Sequence, residues 1–265
     1  MNSRVTSSFD VPEGWGDDPL SAFEVHGQQN RYRLFSERRE WYSVLNDVAA
    51  ELESISIYLA SRLDDFPDID GPLLFATART QFLAAASMVS TGHALSAYAI
   101  GRTVVESALY GWYLLVFPDA VARWRAKPTH KTTRRVWGRE FSFSAIVEKL
   151  RLYDETAASI SRSLHQRAID FGAHPNVNVL APNLHFVRRQ DGMMEGGLAI
   201  LHAHAGPWID AFEMVAKSGA FATLLFAYAF CEYEEGTLAL RASFCHMEAL
   251  ARLLKDVEGT LIQPT

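Results

Sequence analysis

Residues 94–117 read ALSAYAIGRTVVESALYGWYLLVF, an apolar run close to the length that crosses a bilayer, interrupted at Arg102 and Glu106. Single charges in mid-membrane are costly, but these two stand four residues apart and pair on one helical face. Neither flank carries the one-sided excess of Lys and Arg that orients a spanning helix. The stretch therefore reads as the buried helix of a bundle, with no membrane partner. The next most apolar run, Phe221 to Phe230, has about half the length a span needs. With 49% hydrophobic, 21% charged and 12% aromatic residues, the 265-residue chain can bury a large core.

Outward from this helix the same logic predicts a mainly α protein, a multi-helix bundle with a small inserted β-hairpin. A second apolar helix spans roughly 72–91. Upstream, a helix starting near Ser36 carries Trp41, Leu45, Val48, Leu52, Ile55 and Leu59 at alternating steps of four and three, a seam that continues to Leu63 and faces another helix. It stops in Asp64–Pro72, where two prolines and a glycine end it. Residues 1–20 lack apolar period and read as a flexible tail, leaving 21–265 as a single helical domain. Downstream, a short helix reaches about Ala126, a basic connector covers 123–139, and helices follow at 141–150 and 156–171. Gly172 is expected to take a left-handed cap ahead of Pro175. Asn183–Arg189 and Gly197–His202 alternate like strands around Asp191-Gly192, which predicts a hairpin over 183–202. Helices at 207–217, 219–234 and 237–256 complete the chain. Two cysteines, Cys231 and Cys245, make no disulfide framework, fall in Phe- and Leu-rich helices and read as small buried apolar residues. The start MNSRVTSSFD has no apolar signal core, which points to a cytoplasmic protein.

The net charge of −6 argues against a surface built wholly for nucleic acid, yet it hides an asymmetry. Residues 81–190 hold 14 basic and 7 acidic side chains, while the two ends together hold 11 and 24. Arg123, Arg125, Lys127, Lys131, Arg134, Arg135 and Arg139 follow one another with no acid between them, and Trp124, His130 and Trp137 are interleaved. Cations for phosphates and rings for bases suit single-stranded RNA. A solvated segment that docks on the acidic ends of this chain, or of a second copy, is the other reading.

Two constellations carry possible chemistry. Arg102 and Glu106 share a face with Tyr98 and Tyr110 at steps of four, either as a structural ion pair or as a ligand-facing polar seam. Arg167 and His174, seven apart at a helix end, can point to one side. Metal-independent RNA cleavage needs such a guanidinium and imidazole. The plainer reading has Arg167 paired with Asp170 and His174 capping the helix. No Glu-x-x-His pair, phosphate loop, nucleophile elbow or Cys-x-x-Cys occurs, and no cofactor is expected. A zinc site at His185, His202 and His204 would form if Arg189 paired with Leu198 in the hairpin. The acidic residues Asp64, Asp65 and Asp68 read as a helix end and loop.

The Arg-x6-His spacing in a helical chain, with GRTVVESALYGWYL, Pro118-Asp119 and FGAHPN, resembles the HEPN superfamily and uncharacterised bacterial helical proteins near it, over residues 72–176. The resemblance implies a nucleotide-binding or RNA-cleaving protein of defence or toxin–antitoxin type, with Arg167 as phosphate binder, His174 as acid–base group, and a homodimer. Ala168 stands where the family's catalytic members usually carry a polar residue. A non-catalytic helical interaction or regulatory protein, joined to its partner through acidic ends and basic middle, is the alternative.

Overall fold

The structure, a computed structural model, describes residues 10–173, 183–189, 192–199, 201–202 and 206–261. It is a mainly α multi-helix bundle. Helix α1 (Pro19–Glu37) is followed by α2 (Arg39–Ala60), a 3-10 turn (Leu63–Asp65), α3 (Asp70–Thr91) and α4 (Ala94–Val116). Three short helices, α5 (Asp119–Arg125), α6 (Lys131–Phe141) and α7 (Phe143–Arg151), lead into α8 (Glu155–Ala168) and its π-helical turn (Ile169–Ala173). Strands β1 (Leu184–Arg188) and β2 (Met194–Leu198) pair antiparallel, and α9 (Pro207–Ala229) and α10 (Glu234–Leu261) close the chain.

The apolar seams of the sequence become the core, except that α2 stops before Leu63, which lies 40% exposed in the 3-10 turn. Trp41, Leu45, Val48, Leu52, Ile55 and Leu59 of α2 are all buried. They meet α9, where Trp41 packs on Trp208 and Phe212 with ring centroids 5.3 and 5.0 Å apart. Trp208 also donates its indole N–H to the Val89 carbonyl at 2.7 Å, so this buried ring has its polar atom satisfied. Helices α3 and α4 lie side by side, separated only by Gly92 and His93. Gly92 sits at φ 93°, and the amides of Gly92 and His93 return to the carbonyls of Val89 and Met88, a left-handed cap that a side chain would strain.

Several expectations are corrected. The tail over residues 1–20 gives way at Pro19 to α1, whose polar sequence buries Ser21, Gly27, Asn30 and Leu34 and so shows no apolar period. Its signal was local: Asp18 accepts the amides of Leu20 and Ser21, and Pro19 opens the helix, a cap and an N-terminal proline in sequence. The connector over 123–139 is largely helical, in α5 and α6. The break expected near Ser218-Gly219 is absent, since α9 runs through it; a Cβ on Gly219 would stand 2.4 Å from Val48 Cγ1. Close helix crossing, not a stop, is what that glycine supplies. Gly172 does not take the left-handed cap. It lies in the π turn against α4, where a Cβ would come within 2.4 Å of Tyr98 Cβ and 2.8 Å of the Leu95 carbonyl. Cys231 and Cys245 are exposed, because they fall in the α9–α10 turn and on the outer face of α10.

Candidate functional site

The basic run divides into two populations. Arg123 clamps the Glu140 carboxylate, with Nη2 at 2.7 Å and Nε at 3.1 Å from Oε1. Arg125 donates to Asp70 at 2.7 Å and to Asp68 at 2.5 Å, fastening α5 to the acidic loop before α3. Both guanidiniums are thereby neutralised within the chain. Lys131, Arg134, Arg135 and Arg139 lie on the remaining arc of α6 at steps of three and four, all exposed. None of these four has a carboxylate partner among the described residues. Gly138 falls inside the same arc, with nothing within 4 Å of where its Cβ would be, so the cationic face is open to its backbone.

The interleaved aromatics have a structural use. Trp124 and Trp137 stack on each other at 5.4 Å and 27°, both rings touch Phe141, and the Trp137 indole N–H donates to the Arg123 carbonyl at 3.0 Å. Lys127 places its ammonium 5.1 Å over the Trp137 ring. These contacts set α6 on α5 and turn its cations outward. His130 is exposed just before α6, where its carbonyl accepts the Arg134 amide at 2.9 Å.

Along α4 the structure builds the polar seam. Arg102 Nε donates to Glu106 Oε1 at 2.8 Å, and His165 Nε2 of α8 donates to the same oxygen at 3.0 Å. The imidazole lies flat on Phe143, with centroids 3.8 Å apart and an angle of 15°. Burial pushes the Glu106 carboxyl up, but hydrogen bonds from His165 and Arg102, and their charges, outweigh it and hold it below the ordinary carboxylate range. One turn on, Tyr110 donates to the Phe141 carbonyl at 2.5 Å, and burial pushes its hydroxyl to about 12. At the other end Tyr98 stacks on Phe171 at 5.5 Å, and its hydroxyl is likewise pushed up to about 12 by burial. The seam therefore holds one ionised carboxylate between a guanidinium and an imidazole, flanked by neutral phenols.

Arg167 turns to α9 and not to Asp170, which accepts from Gln166 at 2.8 Å. Its Nη1 lies 2.6 Å from Glu213 Oε2 and its Nη2 3.2 Å from Asp210 Oδ1. Glu213 Oε1 takes Lys217 at 2.5 Å, so one carboxylate joins two cations. His174 lies outside the described residues. In the hairpin His185 pairs with Gly197, not His202, because the register joins Leu184 to Leu198 and Arg188 to Met194. His202 donates to Asn183 Oδ1 at 2.5 Å, its amide bonds to the Gly92 carbonyl at 3.0 Å, and His204 lies outside the described residues. Among the described residues no group of three His, Cys, Asp or Glu side chains is placed to hold a metal ion.

Sequence reasoning missed His165, Asp210, Glu213 and Lys217. Glu213 and Lys217 were findable as an i,i+4 pair on a helix. His165 reaches Glu106 only through the packing of α8 on α4, and no local pattern signals it. No helix among the described residues is long and apolar enough to cross a membrane. No known protein family, curated protein or solved structure matches the chain.

Proposed function

We propose that the chain is a polyanion-binding helical protein. Its ligand in this reading is RNA, gripped along the outer face of α6, in keeping with the HEPN-like character of the sequence. One observation carries the proposal: Lys131, Arg134, Arg135 and Arg139 share an exposed face without a carboxylate partner, while Arg123 and Arg125 nearby are already neutralised. Exposed cations at helical spacing release counterions when they meet phosphates, and this supplies affinity without base recognition. Trp124 and Trp137 are committed to each other, so the reading rests on charge and not on base stacking.

The proposed activity is binding. For cleavage at Arg167 and His174, a phosphate would first have to displace Glu213 and Asp210 from the guanidinium. The Glu213 bond is partly buried and charge-assisted, so that exchange is unfavourable.

The test is fluorescence anisotropy of a labelled single-stranded RNA across a salt series. Four phosphate contacts predict a slope of log K against log salt of roughly −3 for a single strand. A variant carrying Lys131→Gln, Arg134→Gln, Arg135→Gln and Arg139→Gln should lose that slope and most of the affinity. Failure of the native protein to retain RNA at low salt would sink the proposal. Self-association in light scattering that RNA does not disperse would favour pairing of the basic middle with the acidic ends of a second copy.

A further inference from the structure

A cavity of about 310 Å³ lies where α8, α9 and α10 meet, and no residue of α5 or α6 lines it. Helix α9 presents Lys217, Ala220, Phe221 and Leu224 to it, at the i, i+3, i+4 and i+7 steps of one face. The floor is apolar and withdrawn from water, with Leu164 of α8 and Phe221 each 3% exposed. Ser163 stands on the exposed rim, and Met247 closes the α10 side. From Lys217 to Leu224 the slot runs about 10 Å, seven residues at the helical rise. A pocket of this volume, mostly apolar with one cation at its end, has the size and lining to suit a small ligand with an oily body and an anionic head.

Two cations and two carboxylates meet at that end. Lys217 and Arg167 share the single carboxylate of Glu213, whose side chain is 17% exposed. The other partner of Arg167, Asp210, is 63% exposed and screened by water. The Lys217 ammonium has three donors and gives one of them to Glu213. An incoming carboxylate would accept from the two donors of Lys217 that Glu213 leaves over.

We propose that this cavity binds an amphipathic monocarboxylate, the chemistry of a medium-chain fatty acid. Its tail lies over Leu164, Phe221 and Leu224, and its carboxylate sits on Lys217. The site is independent of the α6 face, so it stands or falls apart from RNA binding.

Isothermal titration with decanoate below its micellar range tests it, with 1-decanol as the uncharged match. Decanoate should bind saturably at one site, and decanol about tenfold more weakly. Lys217→Met, which leaves Glu213 paired with Arg167, should bring decanoate down to the level of decanol. Ser163→Trp, at an exposed position where folding tolerates change, should block the mouth and abolish both. The proposal is overturned by an absence of saturable binding, by decanol binding as tightly as decanoate, or by either variant binding decanoate like the native protein. Should Lys217→Met fail to fold, decanol and Ser163→Trp still decide the question.

Discussion

Gly219→Ala sets two effects of known size against each other. In a helix interior the methyl gains about 1 kcal/mol over glycine, largely by restricting the unfolded chain. Against this, the new Cβ would stand 2.4 Å from Val48 Cγ1 and 2.6 and 2.7 Å from two carbons of the Phe82 ring. Carbon contacts are comfortable near about 3.5–4.0 Å, so both neighbours must give way by about 1 Å. Val48 and Phe82 are 0% exposed and have no solvent to swing into. Overpacking of this kind costs about 1–3 kcal/mol and more when the neighbours are fixed, so the clash outweighs the propensity gain. A net loss of about 1–2 kcal/mol lowers Tm by roughly 2–8 °C for a chain of this order of size. Gly138→Ala is the control, because its methyl meets open space on α6 and keeps the propensity gain. Thermal unfolding followed by circular dichroism measures both. An unchanged or higher Tm for Gly219→Ala would refute the close crossing of α9 with α2 and α3.

Two further predictions concern polar contacts. Glu106→Gln removes the charge that joins Arg102 and His165, and should destabilise by about 1–2 kcal/mol, discounted because the pair is near one-third exposed. The folded-state pKa of Glu106 lies below its unfolded value, so its contribution is present above about pH 4.5 and is lost as pH falls through the lower folded value. Urea titrations from pH 6 to 3 should show this loss in the native protein and a shallower one in Glu106→Gln. Asp154→Ala removes both the cap of α8, which accepts the Ala157 amide at 2.9 Å, and the partner of the Tyr228 hydroxyl at 2.6 Å. Denaturant unfolding should register a loss of about 1–2 kcal/mol, and Tyr228→Phe, which keeps the cap, should lose only part of that.

Elements with a repeating apolar stripe were legible in the sequence almost to the residue. Helix α4, expected at 94–117, runs Ala94–Val116, and every apolar position named from Trp41 to Leu59 is buried. Periodicity reports burial, and burial positions these helices. Helix α1 escaped because its inner face is small and polar, so no apolar stripe stands out, and α6 because its run of cations reads as a solvated connector. The hairpin was found but its register was not. Pairing is set by a loop in which the Arg189 amide bonds to the Met193 carbonyl at 2.8 Å, and a shift there separates every cross-strand partner expected. At the seam, Arg102 and Glu106 were visible as neighbours on one helix. The partners of Glu106 and Arg167 across helices arise from packing alone, which is why Arg167 was expected on Asp170 and is found on Glu213.

The short link between α3 and α4 also bears on the order of assembly. Two long helices separated by Gly92 and His93 meet along their length at almost no loop-closure entropy, so their contacts are local in sequence. The contact of Trp41 with Trp208 joins segments near opposite ends of the chain and must wait until the intervening helices are in place. Contacts this local predict that α3 and α4 pair early in folding. Substitutions at Ala85 or Ala108 in these helices should slow folding, whereas those at Trp41 should act mainly by speeding unfolding.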